Sequence, residues 1–194
     1  MLPHLTAQLN TFQSTPGLIG IRVVQAAENR MVLTADYEDK RATYTNGRGI
    51  HDGLSVFVTK EPIVREGDVD WRYEVEGKEN LIMPGYARHI AVGYDPSKFD
   101  AMVSYADSQV DVYQSLDGLR RILVVPVSGS EGHPRLRQEI GNLENRMIVT
   151  AGYDIREASQ TAREKANAFW SGMAEFLTDA PRILEDEFVY GFRR

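Results

Sequence analysis

One stretch of this chain occurs twice. Residues 28–42 read ENRMVLTADYEDKRA and residues 144–158 read ENRMIVTAGYDIREA, with eight of fifteen positions identical. Two flanking blocks repeat in the same order. Upstream, Gln13-Ser14-x-x-Gly17-Leu18-x-x-Ile21-x-Val23-Val24 matches Gln114-Ser115-x-x-Gly118-Leu119-x-x-Ile122-x-Val124-Val125, an offset of 101. Downstream, Phe57-x-Thr59-x-x-Pro62 matches Phe176-x-Thr178-x-x-Pro181, an offset of 119. The offset at the central stretch is 116, so the second copy carries 15 extra residues between its first two blocks. Self-similarity at this spacing requires a structural unit that can be built twice. It divides the chain into residues 1–79 and 80–194.

Each copy reads as the same series of elements. In the second, Asp95-Pro96 suits a helix start, because Asp caps free backbone N–H groups and Pro tolerates the first turn. Phe99, Met102, Val103, Ala106, Val110 and Tyr113 then recur at helical spacing, which predicts one helix over 97–116 ended by Gly118. The first copy has a shorter equivalent over about 2–13. Two β-branched runs follow in each, Leu18–Gln25 with Arg30–Tyr37 and Leu119–Val127 with Arg146–Tyr153. The extra residues fall between the second pair, as an arm over 128–145 rich in Gly and Pro. A second helix is predicted over 155–177, with Ala162, Ala166, Phe169, Met173 and Phe176 on one face. Its counterpart in the first copy carries Gly47, Gly49 and Gly53, each costing about 1 kcal/mol in a helix interior, so it reads as broken or shortened. Closing strands are expected over 69–75 and 187–192, with Trp71, Tyr73 and Val75 matching Phe188, Tyr190 and Phe192.

The second copy also has a strand, Arg88–Tyr94, before its first helix. Its order is β-α-β-β-α-β, the ferredoxin-like pattern. The first copy begins at its helix and lacks that strand. The expectation is an α+β chain of two tandem ferredoxin-like units, the first missing its first strand, with Asn80–Met83 as one segment that could fill the gap. The ENRM blocks are expected to mark where the two halves meet.

The totals narrow the function classes. A net charge of −6 and the lack of basic runs exclude a general phosphate-binding footprint, so neither nucleic acid nor an anionic membrane is an expected partner. No cysteine is present, which removes disulfides, thiolate metal sites and a cysteine nucleophile. With neither a signal peptide nor a membrane span in the pattern, a cytoplasmic location is expected. His4 and His133 have no partner at ligand spacing, so no metal is expected.

The block from Asn145 to Ala158, the helix ending at Phe176-Leu177 before Pro181, and the last strand resemble the dimeric α/β-barrel superfamily, in its antibiotic biosynthesis monooxygenase-like branch. That resemblance implies antiparallel sheets forming a barrel, here within one chain. It implies a small hydrophobic or aromatic ligand held between helices and sheet, and for some members cofactor-independent oxygenation of aromatic or polyketide-like molecules. No cofactor is then expected. Other members degrade haem with an Asn, a Trp and a His. Asn167 and Trp170 lie together here, but no His follows that helix. A third reading is a non-catalytic ligand-binding or interaction module, with the 128–145 arm joining a homodimer.

Candidate residues follow from chemistry and from the resemblance. His51, among Asn46, Arg48 and Asp52 in a glycine-rich stretch, is a candidate acid or base, since histidine titrates near neutrality. His89 and Tyr94 flank the first strand of the second copy, beside Arg88. These three, His51, His89 and Tyr94, are the catalytic candidates. Trp170, Asn167, Arg48 and Tyr105 are the substrate-binding candidates, and Tyr113, Trp71, Tyr73 and Tyr190 could line cavities. For the aromatics, core packing is the simpler role; for the histidines, a surface or hydrogen-bonded position is.

Overall fold

In the computed structural model, the residues described are 9–27, 30–39, 42, 65, 67–77, 85–127 and 145–193. The first copy contributes α1 (Leu9–Ser14), β1 (Leu18–Ala27), β2 (Arg30–Tyr37) and β3 (Trp71–Glu74). The second contributes β4 (Tyr86–Gly93), α2 (Phe99–Ser108), α3 (Val110–Gln114), β5 (Leu119–Val127), β6 (Arg146–Tyr153), α4 (Arg156–Met173) and β7 (Arg182–Arg193).

Seven strands form one curled antiparallel sheet in the order β2-β1-β7-β4-β6-β5-β3. Within it, β7-β4-β6-β5 is the complete ferredoxin-like sheet of the second copy. The first copy's strands lie on both sides of it. Its β1 pairs with the far half of β7, and its β3 pairs with β5. Each copy therefore gives its closing strand to the other copy's hairpin. Two such four-stranded units would close a ring of eight. Among the described residues, the first copy's β2 and β3 lie at the two edges of the sheet. Residues 80–83, the expected filler, lie outside the described residues, as does the 128–144 stretch of the arm.

The strand register corrects two expectations. The halves do not meet at the ENRM strands: β2 pairs with β1, and β6 lies between β4 and β5. They meet through the closing strands. Those strands also align differently. Trp71 pairs with Val124 and Tyr190 with Val23. Val23 and Val124 are equivalents at offset 101, so Tyr190 is the counterpart of Trp71, at offset 119 rather than 117. That is the offset already seen at Phe57 and Phe176.

The repeated residues have a shared mechanical role. Gly17 and Gly118 take φ of +70° and +75°, values that favour glycine. A Cβ on either would fall 2.4 Å from the Ala42 methyl or 2.6 Å from the Ala158 methyl. Their carbonyls accept hydrogen bonds from Glu38 N at 2.8 Å and Asp154 N at 2.7 Å. Both copies thus seat the turn after the first helix against an alanine through the same glycine.

The predicted helix over 97–116 is three pieces. Asp95 Oδ1 accepts from Ser97 N at 3.0 Å and starts a single turn over Pro96–Lys98, as the Asp-Pro signal implies. The α-helix then breaks at Gln109. Ser108 Oγ donates to the Tyr105 carbonyl at 2.7 Å, and Gln109 N turns to Ala106 O three residues back. Such local bonds compete with helix propagation. The closing strand β7 is longer than predicted because its first half pairs with β4 and its second half with β1.

Candidate functional site

Strand alternation assigns the two faces of the central sheet. On β4, Arg88, Ile90 and Val92 face the helices with Met147, Val149 and Ala151 of β6. Helices α2, α3 and α4 cover that face with Met102, Tyr113, Phe169 and Met173. Between the layers is a cavity of about 70 Å³. Most of its wall is apolar, and Trp170, a half-buried residue of α4, stands edge-on to Phe169 at 5.3 Å. The last wall comes from the other copy: Trp71 of β3 reaches across the sheet edge and lines the cavity.

Two polar groups in this wall matter most. Arg88 is 5% exposed, and its cation is already committed. Its Nε donates to Glu185 Oε2 at 2.6 Å and Nη2 donates to Ser159 O at 3.3 Å. Tyr113 is 3% exposed, and its hydroxyl is buried with no hydrogen-bond partner among the described residues. Burial, then the neighbouring Tyr105 and Asp107, push its pKa up, so it remains a proton donor at neutral pH. Its ring is held edge-on by Trp71 at 5.9 Å and Phe169 at 5.7 Å, and tilted against Tyr73 at 5.2 Å. A buried hydroxyl with no partner is an uncommon arrangement and a natural anchor for an acceptor atom.

His89 points to the opposite face, inside the curled sheet. It is 8% exposed, with Nδ1 3.0 Å from Thr150 Oγ1 and Nε2 buried without a partner. Burial first, then Arg22 and Arg121, lower its pKa to about 4, so it is neutral at pH 7. Arg22 is itself buried and donates to Asp36 Oδ1 at 2.7 Å.

The remaining sequence candidates are dispersed. Tyr94 packs on Phe99 at 5.6 Å and forms an isolated bridge to Leu177, away from the cavity lining. Tyr105 stacks on Phe169 at 5.8 Å and donates to the Phe169 carbonyl at 3.2 Å, bracing α2 against α4 behind the cavity. Asn167 is exposed, on the solvent side of α4. His51 and Arg48 lie outside the described residues. Of the seven candidates, the cavity gathers Trp170. Its polar anchor, Tyr113, was named in the sequence only among the aromatics; the signal was helical spacing, which puts it on the same face as Met102 and Ala106. Alternation in RHIAVGY could also have separated His89 from the apolar Arg88-Ile90-Val92 face. Among the described residues, no group of three or more His, Asp or Glu is arranged to hold a metal ion.

Solved structures share this architecture. A Fusobacterium nucleatum protein described as a candidate monooxygenase superposes with a TM-score of 0.69 at 10% identity, covering 100% of this chain and 86% of its own. An anthrone oxidase-like protein gives 0.65 at 14% identity, covering 97% and 85%. A Listeria monocytogenes ferredoxin-fold protein related to antibiotic biosynthesis monooxygenases gives 0.52 at 8% identity, covering 96% and 86%. The fold is that of the antibiotic biosynthesis monooxygenase-like barrels. At these identities the likeness concerns the fold, since one fold hosts many chemistries. No family model and no curated protein sequence matches the chain. No helix among the described residues is long and apolar enough to cross a membrane.

Proposed function

We propose that the second copy's cavity binds a small, neutral aromatic molecule and that the protein oxidises it with molecular oxygen without a cofactor. The observation that carries this reading is Tyr113, a lining residue whose protonated, buried hydroxyl has no partner among the described residues, in a wall whose one charged group, Arg88, is already paired. It would donate a hydrogen bond to a ring oxygen of the ligand. As that oxygen gains negative charge on ionisation, the bond strengthens, which is how a fixed donor in a dry site favours an anion. The ionised ring is electron-rich enough to react with oxygen. In the simplest balanced outcome hydroquinone becomes 2-hydroxy-1,4-benzoquinone, one oxygen atom of O₂ entering the ring and the other leaving as water. His89 lies on the other sheet face, so ionisation leans on the donor rather than on a histidine base.

Neutrality of the ligand follows from Arg88, whose charge is matched by Glu185. Size follows from the volume. A cavity of about 150 Å³ holds one benzene, so about 70 Å³ suits at most a single ring, and that after side chains yield. The same small volume supports the second reading, a ligand-binding module of this fold without catalysis. Oxygen uptake by the full chain with hydroquinone, in metal-chelated buffer, separates the two. The oxygenase reading expects uptake that falls at least tenfold in Tyr113→Phe. No uptake, with phenol binding retained, leaves the binding module.

A further inference from the structure

The cavity of the second copy is finished by a residue of the first. Trp71 belongs to β3, the first copy's closing strand, and is carried beside this cavity by the pairing of β3 with β5, where it lies opposite Val124. Its indole Nε1 donates to Asp107 Oδ1 at 2.7 Å, across 36 residues of sequence. Asp107 is exposed, in the last turn of α2, two residues before the helix break at Gln109. The bond therefore joins the two copies at the rim of the cavity, where the helical cover is discontinuous. The inner edge of the same indole rests on Tyr113, the polar anchor.

We propose that Trp71 is the specificity-determining residue of this cavity: a removable wall, latched by Asp107, that sets the size of the ring admitted. This rests on the reading of the cavity as a ligand site. Three observations converge on it. The volume, about 70 Å³, is too small for an aromatic ring while every wall residue stays in place. Most of the wall belongs to the sheet floor and the long helix α4. Trp71 is half-buried, on a strand of four residues at the sheet edge, and is held toward the cavity by one hydrogen bond whose acceptor is in water. Releasing that bond lets the indole swing without disturbing the sheet floor, and both polar partners regain hydrogen bonds from solvent. Tyr190, its counterpart, sits in the first copy's core edge-on to Phe12 at 6.4 Å, with its hydroxyl buried. The exchange of closing strands thus puts a large aromatic from each copy into the helix–sheet layer of the other, and the indole has the greater area.

Calorimetric and stopped-flow binding of phenol and 1-naphthol to the full chain tests this. In the unaltered protein phenol should bind at least tenfold more tightly than 1-naphthol. Trp71→Ala should reverse that ratio. Trp71→Phe keeps a ring and loses the donor, and Asp107→Ala loses the acceptor. Each should speed phenol association about tenfold, the scale of one hydrogen bond, and the double variant should be no faster than either single one. An unchanged naphthol-to-phenol ratio in Trp71→Ala, with cooperative unfolding retained, overturns the proposal. So do unchanged association rates in both Trp71→Phe and Asp107→Ala, variants that leave the core intact. If no form of the protein binds either probe, the ligand-site reading fails and the wall with it; if all forms bind both alike, only the role of Trp71 fails.

Discussion

Replacing His89 by Gln should change how stability depends on pH. His89 is neutral in the folded chain because it is 8% exposed and near Arg22 and Arg121. Its pKa falls from 6.5 to about 4. In the unfolded chain it returns to about 6.5. Between those values the unfolded state binds the proton and the folded state does not, so stability falls as pH falls through this window. At about 1.4 kcal/mol per unit, the full effect is about 3 kcal/mol, most of it lost by about pH 4.5, with little further change from this group below about pH 3 and little above about pH 7. Gln keeps a hydrogen-bonding group toward Thr150 but does not titrate. Urea unfolding of both proteins at about pH 7, 5.5 and 4.5 gives the difference directly, and carboxylates common to both cancel. The variant should lose about 2–3 kcal/mol less than the parent over this range. Parallel stability curves would refute the reasoning, since they would mean that His89 is protonated in the fold and that the two arginines do not set its charge.

Two further outcomes follow from the packing. Gly118→Ala should cost about 2 kcal/mol in chemical denaturation, because the new methyl would meet Ala158 at 2.6 Å and the backbone is at φ +75°. Gly17→Ala should behave alike, with its clash at Ala42, and Ala158→Gly should partly rescue Gly118→Ala. Glu185→Ala should destabilise by about 2–3 kcal/mol at neutral pH, since it leaves the buried Arg88 cation without its carboxylate, and the double variant with Arg88→Met should recover much of the loss.

Much of the fold was legible in the chain. The β-branched runs gave four strands almost to their ends, since each is long enough to carry its own pattern. Asp95-Pro96 marked a helix start because capping is a local interaction. The helix break at Gln109 was not legible, because the apolar spacing continues through it while the competing bonds are made by Ser108 and by backbone. The first half of β7 was missed for a related reason: Arg182 to Glu187 has little apolar alternation, and its pairing with β4 stabilises it as a strand. In the site, periodicity identified the aromatic faces but not which aromatic would lack a partner. Tyr105 and Tyr113 look alike in sequence, yet one hydroxyl donates to the Phe169 carbonyl and the other donates to nothing.

By itself the sequence determined that one series of elements occurs twice and that Gly17, Ala42, Gly118 and Ala158 recur together. These are properties of local pattern and of comparison between the copies. Tertiary structure alone decided how the copies join. Nothing in the repeat says that closing strands cross over, because a strand edge can pair with any edge of matching twist and spacing. That exchange moves the contact between the halves away from the ENRM strands, carries Trp71 into the other copy's cavity, and brings Arg22 of β1 near His89.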